Sequence, residues 1–116
     1  MKKIFFTLIT VLLATSFAFA QEKEPTFEKQ DDFVKTTYYH ENGMIKEVGY
    51  FKDEKLHDQW IRYDHTGKIS VVANYDNGIK EGKWYIVGEE TTKEITYKKN
   101  KLIKVEEIQE TEMSFI

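Results

Sequence analysis

The chain repeats itself with a period of 24 residues. Tyr39-His40-Glu41-Asn42-Gly43 aligns with Tyr63-Asp64-His65-Thr66-Gly67, Phe51 with Tyr75, and Trp60 with Trp84, all without insertion. A fixed period of this length means one supersecondary unit stacked on copies of itself. Units of that kind build extended surfaces rather than closed pockets, so the repeat dictates an architecture without naming an activity.

Within the period the pattern is that of short strands and tight turns. Thr36-Thr37-Tyr38-Tyr39 is rich in strand formers. Strands are expected over Met44–Phe51, Leu56–Tyr63, Lys68–Tyr75 and Ile79–Val87. In the third of these, Ile69, Val71, Ala73 and Tyr75 share one face by period-two alternation. Turns fall at Glu41-Asn42-Gly43, Lys52–Lys55, Asp64–Gly67, Asp76-Asn77-Gly78 and Gly88-Glu89-Glu90; Asn and Gly tolerate the positive φ that tight hairpin turns require. A third, atypical copy runs over Glu94–Leu102. Its Tyr97 follows Tyr75 by 22 residues, so the turn around Gly88 has lost two, and a last strand from Leu102 to about Ile108 closes the array. The fold class is therefore all-β, an elongated single antiparallel sheet of successive hairpins. Gly49 and Ala73 align across the period, and a small residue there lets an aromatic ring lie over the backbone. Trp60 or Tyr63 is predicted to cover Gly49, and Trp84 or its neighbour to cover Ala73.

The ends read differently. Lys2 and Lys3, the apolar run Ile4–Ala14 interrupted by Thr7 and Thr10, and Ala18-Phe19-Ala20 form a secretory signal-peptide pattern, helical in its apolar part, over residues 1–20. Cleavage after Ala20 leaves Gln21 first, and the expected location is periplasmic or extracellular. Loss of Lys2 and Lys3 leaves 15 basic against 20 acidic residues, a net charge of −5. That sign argues against nucleic acid and against an anionic membrane surface, and stable membrane insertion of the processed chain is not expected. Residues 21–35 are polar, contain the one proline, Pro25, and read as a flexible lead-in with room for a short helix over Thr26–Phe33. Residues 36–109 are the repeat domain and 110–116 a tail. There is no cysteine, which removes disulfides, thiol nucleophiles and thiolate metal sites from consideration.

The strings Tyr39–Gly43, Leu56–Trp60 and Tyr75–Trp84 resemble MORN repeats of the variant type, roughly Y-x-N-G-x-x-x-G-x-W with a second Y-x-x-N-G element. The second copy fits, whereas the first has Glu54 and Asp58 where glycine is usual. The resemblance implies a meander of hairpins and a role in scaffolding or protein–protein contact, with phospholipid binding a further association. Bacterial variants are often labelled antitoxin components, a role that fits poorly with an export signal. Some secreted relatives carry the label nicotinic acid mononucleotide adenylyltransferase. That chemistry needs an H-x-G-H-type phosphate motif on an α/β sheet, and none of His40, His57 or His65 begins one.

The residues themselves offer little chemistry. The three histidines sit in turns or at a strand start, with no ligand partner at metal spacing. The acid pairs Asp31-Asp32, Asp53-Glu54, Glu89-Glu90 and Glu106-Glu107 lie in turns or near chain ends, where carboxylates stay solvated rather than split in pKa. No nucleophile elbow, P-loop or G-x-G-x-x-G occurs. No catalytic residue, metal or cofactor is predicted. The signal lies in the aromatics Tyr39, Phe51, Trp60, Tyr63, Tyr75, Trp84 and Tyr97, and in the turn glycines Gly43, Gly67, Gly78 and Gly82. These point to a non-catalytic module that contacts a partner protein or envelope component through its sheet face or edge. The alternative is a small envelope enzyme or ligand binder, which a concave pocket with convergent polar groups would favour.

Overall fold

The computed structural model describes residues 23–109; the leader and the tail read from the sequence lie outside the described residues. Nine strands follow one another: β1 (Thr26–Gln30), β2 (Phe33–Tyr39), β3 (Ile45–Lys52), β4 (Lys55–Tyr63), β5 (Ile69–Asp76), β6 (Ile79–Lys80), β7 (Gly82–Val87), β8 (Thr91–Lys98) and β9 (Lys101–Gln109). They form one antiparallel sheet in the order β1-β2-β3-β4-β5-β7-β8-β9, with β6 also paired to β5. Strands β6 and β7 are thus one interrupted strand, broken at Glu81. Among the described residues no helix is long and apolar enough to cross a membrane.

Two kinds of turn alternate along the meander. At one end, Asp53-Glu54 (φ 49° and 64°), Asn77-Gly78 (48° and 84°) and Lys99-Asn100 (49° and 68°) are two-residue turns with both central residues left-handed. That is the type I′ geometry, whose twist matches that of the flanking strands. At the other end the loops 40–44 and 64–68 are closed alike: His40 N–H donates to Met44 O at 2.8 Å and Asp64 N–H to Lys68 O at 2.8 Å. Gly43 (φ 85°) and Gly67 (φ 91°) supply the left-handed residue in each. The third loop is shorter, closed by Gly88 N–H to Thr91 O at 3.0 Å, as the shortened spacing to Tyr97 requires.

The lead-in is where the structure departs from the sequence reading. Thr26–Gln30 is a strand, not a helix, and it pairs in full register with β2 from Gln30↔Phe33 to Thr26↔Thr37. This first hairpin belongs to the array: Phe27 stands one period before Phe51, and Thr36 one period before Trp60. Every residue of β1 is exposed, so neither face needs apolar alternation and the strand leaves no period-two signal. What holds it is the backbone ladder to β2, whose own Val34 and Thr36 are fixed opposite Phe51 and Gly49 of β3.

The sheet has two unlike faces. On one, the register partners Val48, Ile61, Val72 and Tyr85 follow one another across β3, β4, β5 and β7. Val72, at the middle of this row, is 1% exposed. The other face carries the tryptophans.

Candidate interaction surface

Each tryptophan is held by the same device. Trp60 Nε1 donates to the Tyr50 carbonyl at 3.0 Å and Trp84 Nε1 to the Asn74 carbonyl at 2.8 Å. Both acceptors lie ten residues upstream, on the preceding strand, so the indole folds back over its neighbour. A left-handed residue two positions earlier kinks the strand and permits this: Gly82 (φ 80°) before Trp84 and Asp58 (φ 62°) before Trp60. The departure from glycine at position 58 therefore leaves the local geometry intact. Aspartate accepts αL more readily than most residues, though less easily than glycine. At the second copy the kink is closed further by Glu81 N–H to Asn74 O at 3.1 Å and by Asn74 Nδ2 to Lys83 O at 2.6 Å.

Gly49 lies directly under the Trp60 ring, as predicted. A Cβ there would fall inside the van der Waals envelope of indole atoms Cδ2 and Cε2. Ala73 is the register partner of Trp60, while the Trp84 indole reaches the carbonyl of the next residue, Asn74. Trp60 is buried at 7% exposure and Trp84 is half-buried. Thr36, which occupies the tryptophan position of the first hairpin, is wholly buried, and its Oγ1 has no hydrogen-bond partner.

Around the indoles the predicted rings form edge-to-face contacts. Phe51 meets Trp60 at 5.3 Å and 86°, Tyr75 meets Trp84 at 5.1 Å and 66°, and Trp84 meets Tyr97 at 5.2 Å and 64°. Such pairs contribute about 0.5–1.5 kcal/mol beyond the area they bury. Tyr38, which the sequence did not single out, approaches Trp60 at 6.4 Å. Tyr39 and Tyr63 are elsewhere: each follows a residue of the tryptophan face, Tyr38 or Arg62, and so points to the opposite side. Tyr39 lies beneath Lys23 Nζ at 4.0 Å, and the Tyr63 carbonyl accepts from His40 Nε2 at 2.9 Å. The predicted aromatic set is thus split between the two faces.

A groove of about 320 Å³ runs between the two indoles, floored by Val71 and Ala73 and flanked by Arg62, Tyr75 and Ile86. Arg62 is set 3.7 Å from Glu47, and Lys80 Nζ lies 5.2 Å from the Trp84 ring and 5.0 Å from that of Tyr97. Burial raises the Tyr75 phenol above its ordinary range, with the Glu47 carboxylate adding to the effect.

Neighbouring units are tied by their turns. Asn77 N–H donates to His57 Nδ1 at 3.0 Å and Lys99 N–H to Glu81 Oε2 at 2.8 Å; Gly78 N–H donates to Leu56 O at 2.6 Å and Asn100 N–H to Lys80 O at 3.0 Å. His57 and Glu81 are one period apart and perform the same task. At the opposite end His40 stacks on His65 at 4.3 Å, and Asn42 Nδ2 donates to His65 O at 3.1 Å. All three histidines are therefore engaged in contacts between neighbouring units. Among the described residues no group of three or more His, Asp or Glu is arranged to hold a metal ion. No protein-family model matches the chain, and neither a curated protein nor a solved structure matches it.

Proposed function

We propose that this protein is an exported, non-catalytic interaction module of the MORN-repeat type, binding a partner protein of the cell envelope across the tryptophan face of its sheet. The observation that carries the reading is the groove between Trp60 and Trp84. It combines an apolar floor with a cation, Arg62, and an anion, Glu47, at one end, and it sits on a single-layer sheet with nothing packed over it among the described residues. Aromatic and arginine side chains around a small apolar centre are the composition that protein-contact surfaces concentrate. The MORN assignment rests on the Tyr75–Trp84 string and on the recurrence of the same indole-to-carbonyl bond in the two tryptophan-bearing units.

A photo-crosslinking residue placed at Ile86, which lines the groove and is 40% exposed, tests the reading in cells expressing the full chain. One discrete protein adduct is expected in the envelope fraction, lost on Trp84→Ala, with N-terminal sequencing of the recovered chain starting at Gln21. No adduct from Ile86, or an equal yield from Lys35 on the opposite face, would overturn the proposal.

A further inference from the structure

Among the described residues, strand β9 ends the strand order and pairs with β8 alone. Its outer edge therefore presents a row of backbone donors and acceptors that no described residue pairs. Edge strands in soluble proteins are normally short, interrupted by proline, or guarded by a lysine whose charge repels an approaching strand. Strand β9 lacks the first two protections, and of its two lysines Lys101 stands only at its first residue. It is nine residues long, as long as β4, and contains no proline. Leu102 and Ile103 are each 59% exposed and Val105 51%. Its central lysine, Lys104, is neutralised by Glu106 of the same strand at 2.7 Å.

We infer that β9 pairs antiparallel with β9 of a second copy of this chain, about a two-fold axis at Val105. The charges select that register. With Val105 opposite Val105 of the second copy, Lys104 stands opposite Glu106 on both sides of the axis. Moving the axis one residue in either direction sets Lys104 against Lys104 or Glu106 against Glu106. Like charges directly opposite in a sheet destabilise it and unlike charges stabilise it. The other edge rejects the same arrangement: any two-fold overlap of the whole of β1 places Glu28 against Glu28. A two-fold contact is self-complementary and closes at two copies, whereas β1 on β9 would propagate into a fibre. The paired molecule is a continuous sheet in which both tryptophan faces look the same way. This inference is independent of what the tryptophan face binds.

The register makes a mixing experiment decisive. Sedimentation equilibrium of the purified protein is expected to give twice the single-chain mass. K104E alone and E106K alone each place like charges across the axis, and each is expected to weaken the dimer about tenfold or more. Mixed together they restore opposite charges at every central position, so the heterodimer forms where neither variant self-associates. Both side chains are solvent-facing, and unchanged circular dichroism verifies that each variant is folded. As a second measurement, Val105→Cys in this cysteine-free chain should oxidise to a disulfide-linked dimer, since residues opposed across an antiparallel axis fall within disulfide reach, while Phe27→Cys on the β1 edge should not. A single-chain mass at every concentration, a dimer indifferent to both charge reversals, a ladder of higher oligomers, or equal crosslinking at Phe27 would overturn the inference.

Discussion

Gly49 shows how one missing side chain decides the position of a large one. Nothing but hydrogen can stand between its backbone and the Trp60 indole, so Gly49→Ala forces the ring away and breaks its bond to the Tyr50 carbonyl. The expected loss is about 1–3 kcal/mol, the range for overpacking a well-filled site, read as a lowered thermal midpoint together with a changed near-ultraviolet tryptophan signal. An unchanged midpoint would mean that the indole is not anchored there. This contact was legible in the sequence because a small residue, Gly49 and then Ala73, and a tryptophan recur in matched places. The split of Tyr39 and Tyr63 from the other aromatics was not. The repeat aligns those two with each other and with a shared aromatic pattern, which masks the fact that each stands an odd number of places from the tryptophan-face residues of its own strand, Tyr38 in β2 and Trp60 and Arg62 in β4.

At the scale of the hairpin, loop chemistry carries the fold as much as the strands do. In the 64–68 loop the Asp64 carboxylate accepts from Thr66 N–H, Thr66 Oγ1 and Lys68 N–H at 2.9, 2.6 and 3.0 Å. The hydroxyl of Thr66, then the amide of Lys68, hold this carboxyl below its ordinary range. A carboxyl depressed on folding contributes stability above its unfolded pKa and loses that contribution as pH falls through the folded one. The amide resonances of Thr66 and Lys68 are therefore expected to move in an acid titration only below the usual aspartate range, and to lose the transition in Asp64→Asn. A midpoint at or above that range would contradict the assignment. Most strands from β2 to β9 could be read in advance from turn residues and alternation. Strand β1 could not, since an edge strand exposed on both sides obeys no hydrophobic pattern, and its polar composition is shared with unstructured segments.

Across the whole molecule each unit touches little besides its neighbours, so stability is distributed along the array rather than gathered at one centre. The row from Val48 to Tyr85 lies in the middle strands, while β1 and β9 carry almost entirely exposed side chains. Hydrogen exchange at concentrations low enough to keep single copies is expected to be slowest at the amides of β4 and β5 and fastest at those of β1 and β9; uniform protection from edge to edge would indicate a single all-or-none unit instead. The links between turns carry a further implication. The type I′ turns at 77–78 and 99–100 each donate to the strand one unit behind, with His57 or Glu81 at the receiving position. Donor and acceptor are thus set in the same orientation at both of these links, like studs and sockets. An in-frame duplication of one 24-residue module would arrive with its own fittings, lengthening the sheet by a hairpin without any new kind of contact.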